Sequence, residues 1–82
     1  MQSYVLIDCA PGYEKQIMGE LKPLPEVVEI NGIWGKYDIF AKIVHEDPTE
    51  IENTIAKIRR MKHVNSTETM MVLYGQGGSI DD

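Results

Sequence analysis

The sequence predicts an α+β domain of order β-α-β-β-α-β, four antiparallel strands forming a sheet with two helices on one face. Three observations predict it. An apolar run lies on each side of Trp34-Gly35-Lys36-Tyr37-Asp38, and a glycine turn between two β-prone segments is a hairpin. A helical stripe stands on each side of that hairpin: Tyr13, Ile17, Leu21 and Leu24 before it, Ile51, Ile55 and Ile58 after it. β-prone runs at 4–7 and 64–74 open and close the pattern.

Taken in order, Tyr4-Val5-Leu6-Ile7 is the first strand, broken by Ala10-Pro11-Gly12. The first helix starts at Tyr13, with Glu14, Lys15, Gln16 and Glu20 off its apolar stripe. Pro23 and Pro25 end it, because a residue before proline avoids the helical region. The hairpin has two candidate turns. Asn31-Gly32 is the stronger local signal but leaves unequal arms, whereas Gly35-Lys36 gives arms 27–34 and 37–44. Balanced arms pair more backbone groups, so the turn is placed at Gly35-Lys36 and Asn31-Gly32 is expected to form a bulge. Asp47 is the N-cap of the second helix, with Pro48 at its first position and Glu50 three after the cap. Arg59, Arg60, Lys62 and His63 close that helix, where cations favour the dipole. Residues 1–74 form the domain and 75–82 a flexible tail. The order is the split β-α-β, or ferredoxin-like, arrangement.

Size and charge narrow the function. An 82-residue chain builds one small core and is marginal alone. Its single cysteine, Cys9, cannot form an intrachain disulfide, and no zinc spacing is present, so oligomerisation is the expected reinforcement. Apolar residues also fall on both faces of the strands: Ile39, Ala41 and Ile43 against Phe40 and Val44, Met70 and Val72 against Met71 and Leu73. Two helices cover one face, so a homodimer with face-to-face sheets is expected. A net charge of −5 repels phosphate backbones, so no direct nucleic-acid binding is expected. No apolar run approaches the roughly 18 residues of a membrane span, and the start lacks a signal-peptide pattern. A cytoplasmic location without membrane attachment is the expectation.

Pro25-Glu26-Val27, Gly35-Lys36-Tyr37-Asp38, Val64 and Ser66-Thr67-Glu68-Thr69, at this spacing across 4–73, resemble the effector domain of the Lrp/AsnC (feast/famine) regulators, the RAM domain. The resemblance implies a dimeric α/β barrel that assembles into rings or discs of dimers. It implies a non-enzymatic module of transcription regulation that binds amino-acid effectors in clefts between dimers. It places Gly35, Tyr37 and Asp38, with Thr67 and Thr69, in that cleft. No cofactor is implied. The first strand begins within the first few residues, so no helix-turn-helix domain is expected ahead of it, and the module is expected to act by binding an effector or by co-assembling with full-length Lrp/AsnC regulators. Trp34 stands where the family often has a smaller residue and would narrow the cleft.

The chemistry is suitable. Asp38 offers an anion to an ammonium group, while backbone N–H groups near Gly35 and the Thr67 and Thr69 hydroxyls offer donors to a carboxylate. The plainer alternative has Asp38 capping its own turn and the threonines acting as β-formers. His45 and His63 have no partner at a catalytic spacing, and Lys57, Arg59, Arg60 and Lys62 lack the interleaved aromatics of an RNA surface. A dimeric-barrel enzyme, an ACT-like domain and a ligand-free assembly module remain the alternatives.

Overall fold

The computed structural model describes residues 1–80. Its elements are β1 (Gln2–Cys9), α1 (Glu14–Leu21), β2 (Val27–Gly32), β3 (Ile39–Val44), α2 (Pro48–Arg59) and β4 (Val64–Met71). The expected order β-α-β-β-α-β is therefore present, in one antiparallel sheet of order β2-β3-β1-β4.

β1 is central and organises the rest. Its odd residues Ser3, Val5, Ile7 and Cys9 are buried, while its even residues are half-exposed. The register pairs Val5 with Ala41 and Thr69, and Ile7 with Ile39 and Thr67, so these residues share the helix-covered face. Ile17 and Leu21 of α1 and Ile51 and Ile58 of α2 close the core over them. Each such fully buried isoleucine or leucine contributes about 1.5–3 kcal/mol of transfer free energy. The opposite face carries Tyr4, Leu6, Phe40, Lys42, Val44, Glu68 and Met70, with the Tyr4 and Phe40 rings 5.3 Å apart. No helix covers it, as the apolar residues on both faces led us to expect.

The hairpin differs in detail from its expectation. Pairing stops at Gly32↔Ile39, leaving a 33–38 loop closed by the Ile33 N–H donating to the Asp38 carbonyl at 2.9 Å. The connection does centre on Gly35-Lys36, but its arms are shorter than 27–34 and 37–44. Asn31 and Gly32 pair in step with Phe40 and Ile39, and the bulge lies instead between Val27 and Glu29. Val28 is the extra residue, and its side chain is exposed. β4 also ends earlier than expected, at Met71 rather than residue 74. Of the tail expected at 75–82, residues 81–82 lie outside the described ones, and 72–80 carry no regular element.

α2 starts as its sequence requires. The Thr49 N–H donates to Asp47 Oδ1 at 2.9 Å. The reciprocal half of the capping box is made by His45 rather than Glu50: the Asp47 N–H donates to His45 Nδ1 at 2.8 Å. The Met1 ammonium in turn donates to the His45 carbonyl at 2.9 Å, fastening the chain start to the end of β3. Thr54, in mid-helix and buried, donates to Glu26 Oε1, and its hydroxyl also lies 2.9 Å from the Glu50 carbonyl. That bond ties α2 to the segment before β2.

Replacing Thr54 with Val keeps the shape but strips Glu26 of its donor. We expect a loss of about 1–2 kcal/mol in denaturant unfolding, with Thr54→Ser retaining most of the stability. Burial, followed by the Asp38 and Glu14 carboxylates, pushes the Cys9 thiol from 9.0 up to about 11. The unfolded chain thus loses this proton before the folded one does, so stability falls as pH rises across that window. Unfolding curves between pH 8 and 11 should show the fall in the parent and a smaller one in Cys9→Ala.

Candidate ligand-binding loop and sheet end

The β1–β3 ladder ends at Ile7↔Ile39. One residue before β3, the Asp38 N–H donates to the Ile7 carbonyl at 2.9 Å. The next free donor on β1 is the Cys9 N–H, and Asp38 Oδ2 accepts it at 2.9 Å. The Asp38 side chain therefore stands in for a missing ladder partner, and this bond anchors the 33–38 loop to the central strand. It also places a carboxylate at the end of the sheet. Gly35 has φ +139°, a conformation that side chains resist, in an exposed stretch of the loop.

Tyr37 gathers a polar group that the sequence reading missed. It reaches across β1 on the open face toward Glu68 of β4, close enough for that carboxylate to act on its hydroxyl. Desolvation, the charge and hydrogen bond of Glu68, and the charge of Asp8 all raise its pKa above the ordinary tyrosine value. Lys36 Nζ lies 5.9 Å from the Tyr37 ring centroid. Asp8 pairs with Ser66 one step along from Glu68, so Tyr37, Asp8 and Glu68 converge at one end of the open face. The signal for Asp8 and Glu68 was their alternation with core residues, but it becomes useful only once the β1–β4 register is known.

Thr67 and Thr69 lie elsewhere. Both share the face of Ile7 and Val5, under α2. Thr67 Oγ1 accepts from Arg59 Nε at 3.2 Å. Thr69 Oγ1 is shut from water and has no hydrogen-bond partner among the described residues. Arg59 joins two shallow depressions here, about 310 Å³ beside Asn65, Ser66 and Thr67, and about 390 Å³ beside Glu52, Ile55 and Thr69. Within one protomer, then, Gly35, Tyr37 and Asp38 form one locus and Thr67 and Thr69 a second, on opposite faces of β4.

Trp34 points wholly into solvent at the loop tip and narrows no cleft of its own protomer. His63 is also structural in its setting. It has φ +75°, its carbonyl accepts the Ala10 N–H at 2.9 Å, and its ring stacks on Tyr13 at 3.6 Å. Among the described residues no three of His, Cys, Asp and Glu come together as a metal site would need, and no helix is long and apolar enough to cross a membrane.

Comparison with known proteins gives this site its context. The family model described as the Lrp/AsnC ligand binding domain matches residues 2–75. A homocitrate synthase of Sulfurisphaera tokodaii is 34% identical over 74 residues, covering 89% of this chain and 16% of that enzyme. An uncharacterised HTH-type transcriptional regulator of Pyrococcus abyssi is 32% identical over 71 residues, covering 85% of this chain and 45% of the regulator. The chain thus spans less than half the length of either relative. Among solved structures, Escherichia coli AsnC superposes with a TM-score of 0.83 at 25% identity, over 95% of this chain and 54% of that one. A transcriptional regulator of Neisseria meningitidis, solved as its L-Met complex, shares the fold with a TM-score of 0.78 at 12% identity, over 96% of this chain and 53% of that one. With a whole-domain sequence match and the same strand order and helix placement, the chain belongs to the Lrp/AsnC ligand-binding domain family.

Proposed function

We propose that this chain is a non-enzymatic amino-acid sensor and assembly module in transcription regulation of amino-acid metabolism, working in the cytoplasm. The observation that carries the reading is the convergence of Tyr37, Glu68, Asp8 and Asp38 at one end of the sheet, inside a domain of a ligand-binding family. The Glu68 and Asp8 carboxylates beside the Tyr37 hydroxyl, with Asp38 at the same end of the sheet, suit an ammonium group. Thr67 and Thr69, with Arg59 beside them, suit a carboxylate, but they lie on the other face. One amino acid that uses all of Gly35, Tyr37, Asp38, Thr67 and Thr69 therefore needs a second protomer. The L-Met complex of the Neisseria meningitidis regulator supports the ligand class.

Assembly follows from the uncovered sheet face. Tyr4, Leu6, Phe40 and Val44 are only half-buried there. A second copy laid face to face forms the dimeric barrel, and dimers then build a ring or disc in which the cleft is completed between them. Full-length Lrp/AsnC regulators carrying the same domain are the proposed partners for co-assembly. A second reading has one observation behind it: a like stretch lies within a homocitrate synthase. In that reading the module senses the same ligand class but regulates an enzyme. Immobilised protein that retains a full-length regulator favours the first reading, and one that retains a biosynthetic enzyme favours the second.

Thermal unfolding against all free amino acids tests the sensor. A ligand at about 100 times its Kd adds roughly 2.7 kcal/mol, which moves the midpoint of a domain this size by about 10 °C or more. Asp38→Asn keeps an acceptor for the Cys9 N–H but removes the charge, so it should weaken the response about tenfold or more while leaving the fold intact. If no amino acid moves the midpoint, or if the shift is the same in Asp38→Asn and Glu68→Gln, the sensor assignment fails.

A further inference from the structure

The helix α1 contains a glycine that its own protomer does not explain. Gly19 sits in the helix interior, where glycine costs roughly 0.5–1 kcal/mol relative to alanine. A Cβ built at Gly19 meets nothing within 4 Å, so neither crowding nor backbone conformation within the protomer calls for it. Gly19 instead floors an open groove of about 350 Å³, lined by Lys15 and Met18 of α1, Lys22 at its C-terminal cap and Ile30 of β2. The floor is apolar, and the two rim lysines have no carboxylate partner among the described residues. Such a groove matches an aromatic ring: flat access over a glycine, a thioether alongside, and ammonium groups to meet the π face.

The chain carries one such ring in search of cover. Trp34 is its single tryptophan and is wholly exposed at the tip of the 33–38 loop. An indole of this kind leaves on the order of 150–250 Å² in water, and buried tryptophans dominate interface energies. Lys36, the cation of the same loop, lies over Tyr37, which leaves Trp34 as the leading group.

We infer that the Trp34 indole of one copy docks in the Gly19 groove between α1 and β2 of another, between Lys15 and Lys22. The apolar floor and cationic rim select this occupant, and both halves are present in the same chain. The inference rests on the self-assembly proposed above and specifies a contact for it. It also gives the loop that carries Asp38 a fixed position against a neighbouring protomer.

Because Trp34 is the only tryptophan, its emission reports the contact directly. As concentration rises through the range where sedimentation shows assembly, the emission should move to shorter wavelength and iodide quenching should fall. Gly19→Leu puts a side chain into the groove from a position where a Cβ meets nothing within 4 Å, so it should keep the fold by circular dichroism. It should also return Trp34 to free quenching and weaken the assembly roughly 30-fold or more. Trp34→Ala should weaken it to a similar degree. Mixing the two variants is the decisive arm. The only tryptophan then belongs to the Gly19→Leu copy and the only open groove to the Trp34→Ala copy, so the emission should shift again. If the parent assembles but Trp34 stays freely quenched, or Gly19→Leu leaves quenching and assembly unchanged, or mixing restores nothing, this contact is wrong while self-assembly stands. A chain that stays monomeric at every concentration overturns both.

Discussion

A four-stranded sheet has two faces, and this chain makes two helices. Nearly everything else in the molecule follows from that mismatch. β1 resolves it locally by strict alternation, with Ser3, Val5, Ile7 and Cys9 facing the helices and Tyr4, Leu6 and Asp8 turned away. Burying Val5, Ile7 and Cys9 removes their apolar surface from water and fixes the register of both neighbouring strands, since a slip by one residue would turn the core outward. The second set is left half in water. Such a surface is open to contact, and this is why the proposed ligand site and the proposed assembly fall on the same sheet.

The anchoring of the 33–38 loop shows how the fold sets the chemistry. Asp38 closes the β1–β3 ladder where the strands diverge, supplying an acceptor that the backbone lacks. The same bond holds a carboxylate at the end of the sheet, next to the Tyr37–Glu68 pair. The structural reading of Asp38 and the proposed functional one are therefore not rivals: the Cys9 N–H takes one oxygen, and the same contact sets the carboxylate at the end of the sheet. This is also why a change of charge that keeps the amide-bonding oxygen separates the two roles more cleanly than truncation.

Much of this was legible in the residues. The helical stripes of Ile17 and Leu21, and of Ile51 and Ile58, point into the core as their spacing requires, and Asp47 caps α2 with its own oxygen. What was not legible depends on contacts distant in sequence. The bulge falls at Val28 rather than at Asn31-Gly32 because β3 sets the pairing, and no local preference reveals that. The face on which Thr67 and Thr69 lie is decided by the register of β4 on β1, which shifts by one residue near Asn65. Periodicity within β4 cannot show that shift. Asp38 bonds a group 29 residues away, beyond any local pattern. His45 replaced Glu50 in the capping box because the end of β3 already lay beside the start of α2.

The bulge at Val28 bears on how the sheet can grow. β2 and β4 are its two edges. An edge interrupted by an extra residue is a poor template for an incoming strand, and a straight one is a good template. Both edges are interrupted close to their starts, β2 at Val28 and β4 at Asn65, but beyond the interruption β4 runs in step from Ser66 to Met71 and β2 only from Glu29 to Gly32. The domain therefore has polarity of degree: a strand arriving from outside, whether from a proper neighbour or a misfolded copy, finds a longer unbroken complement along β4 than along the opposite margin.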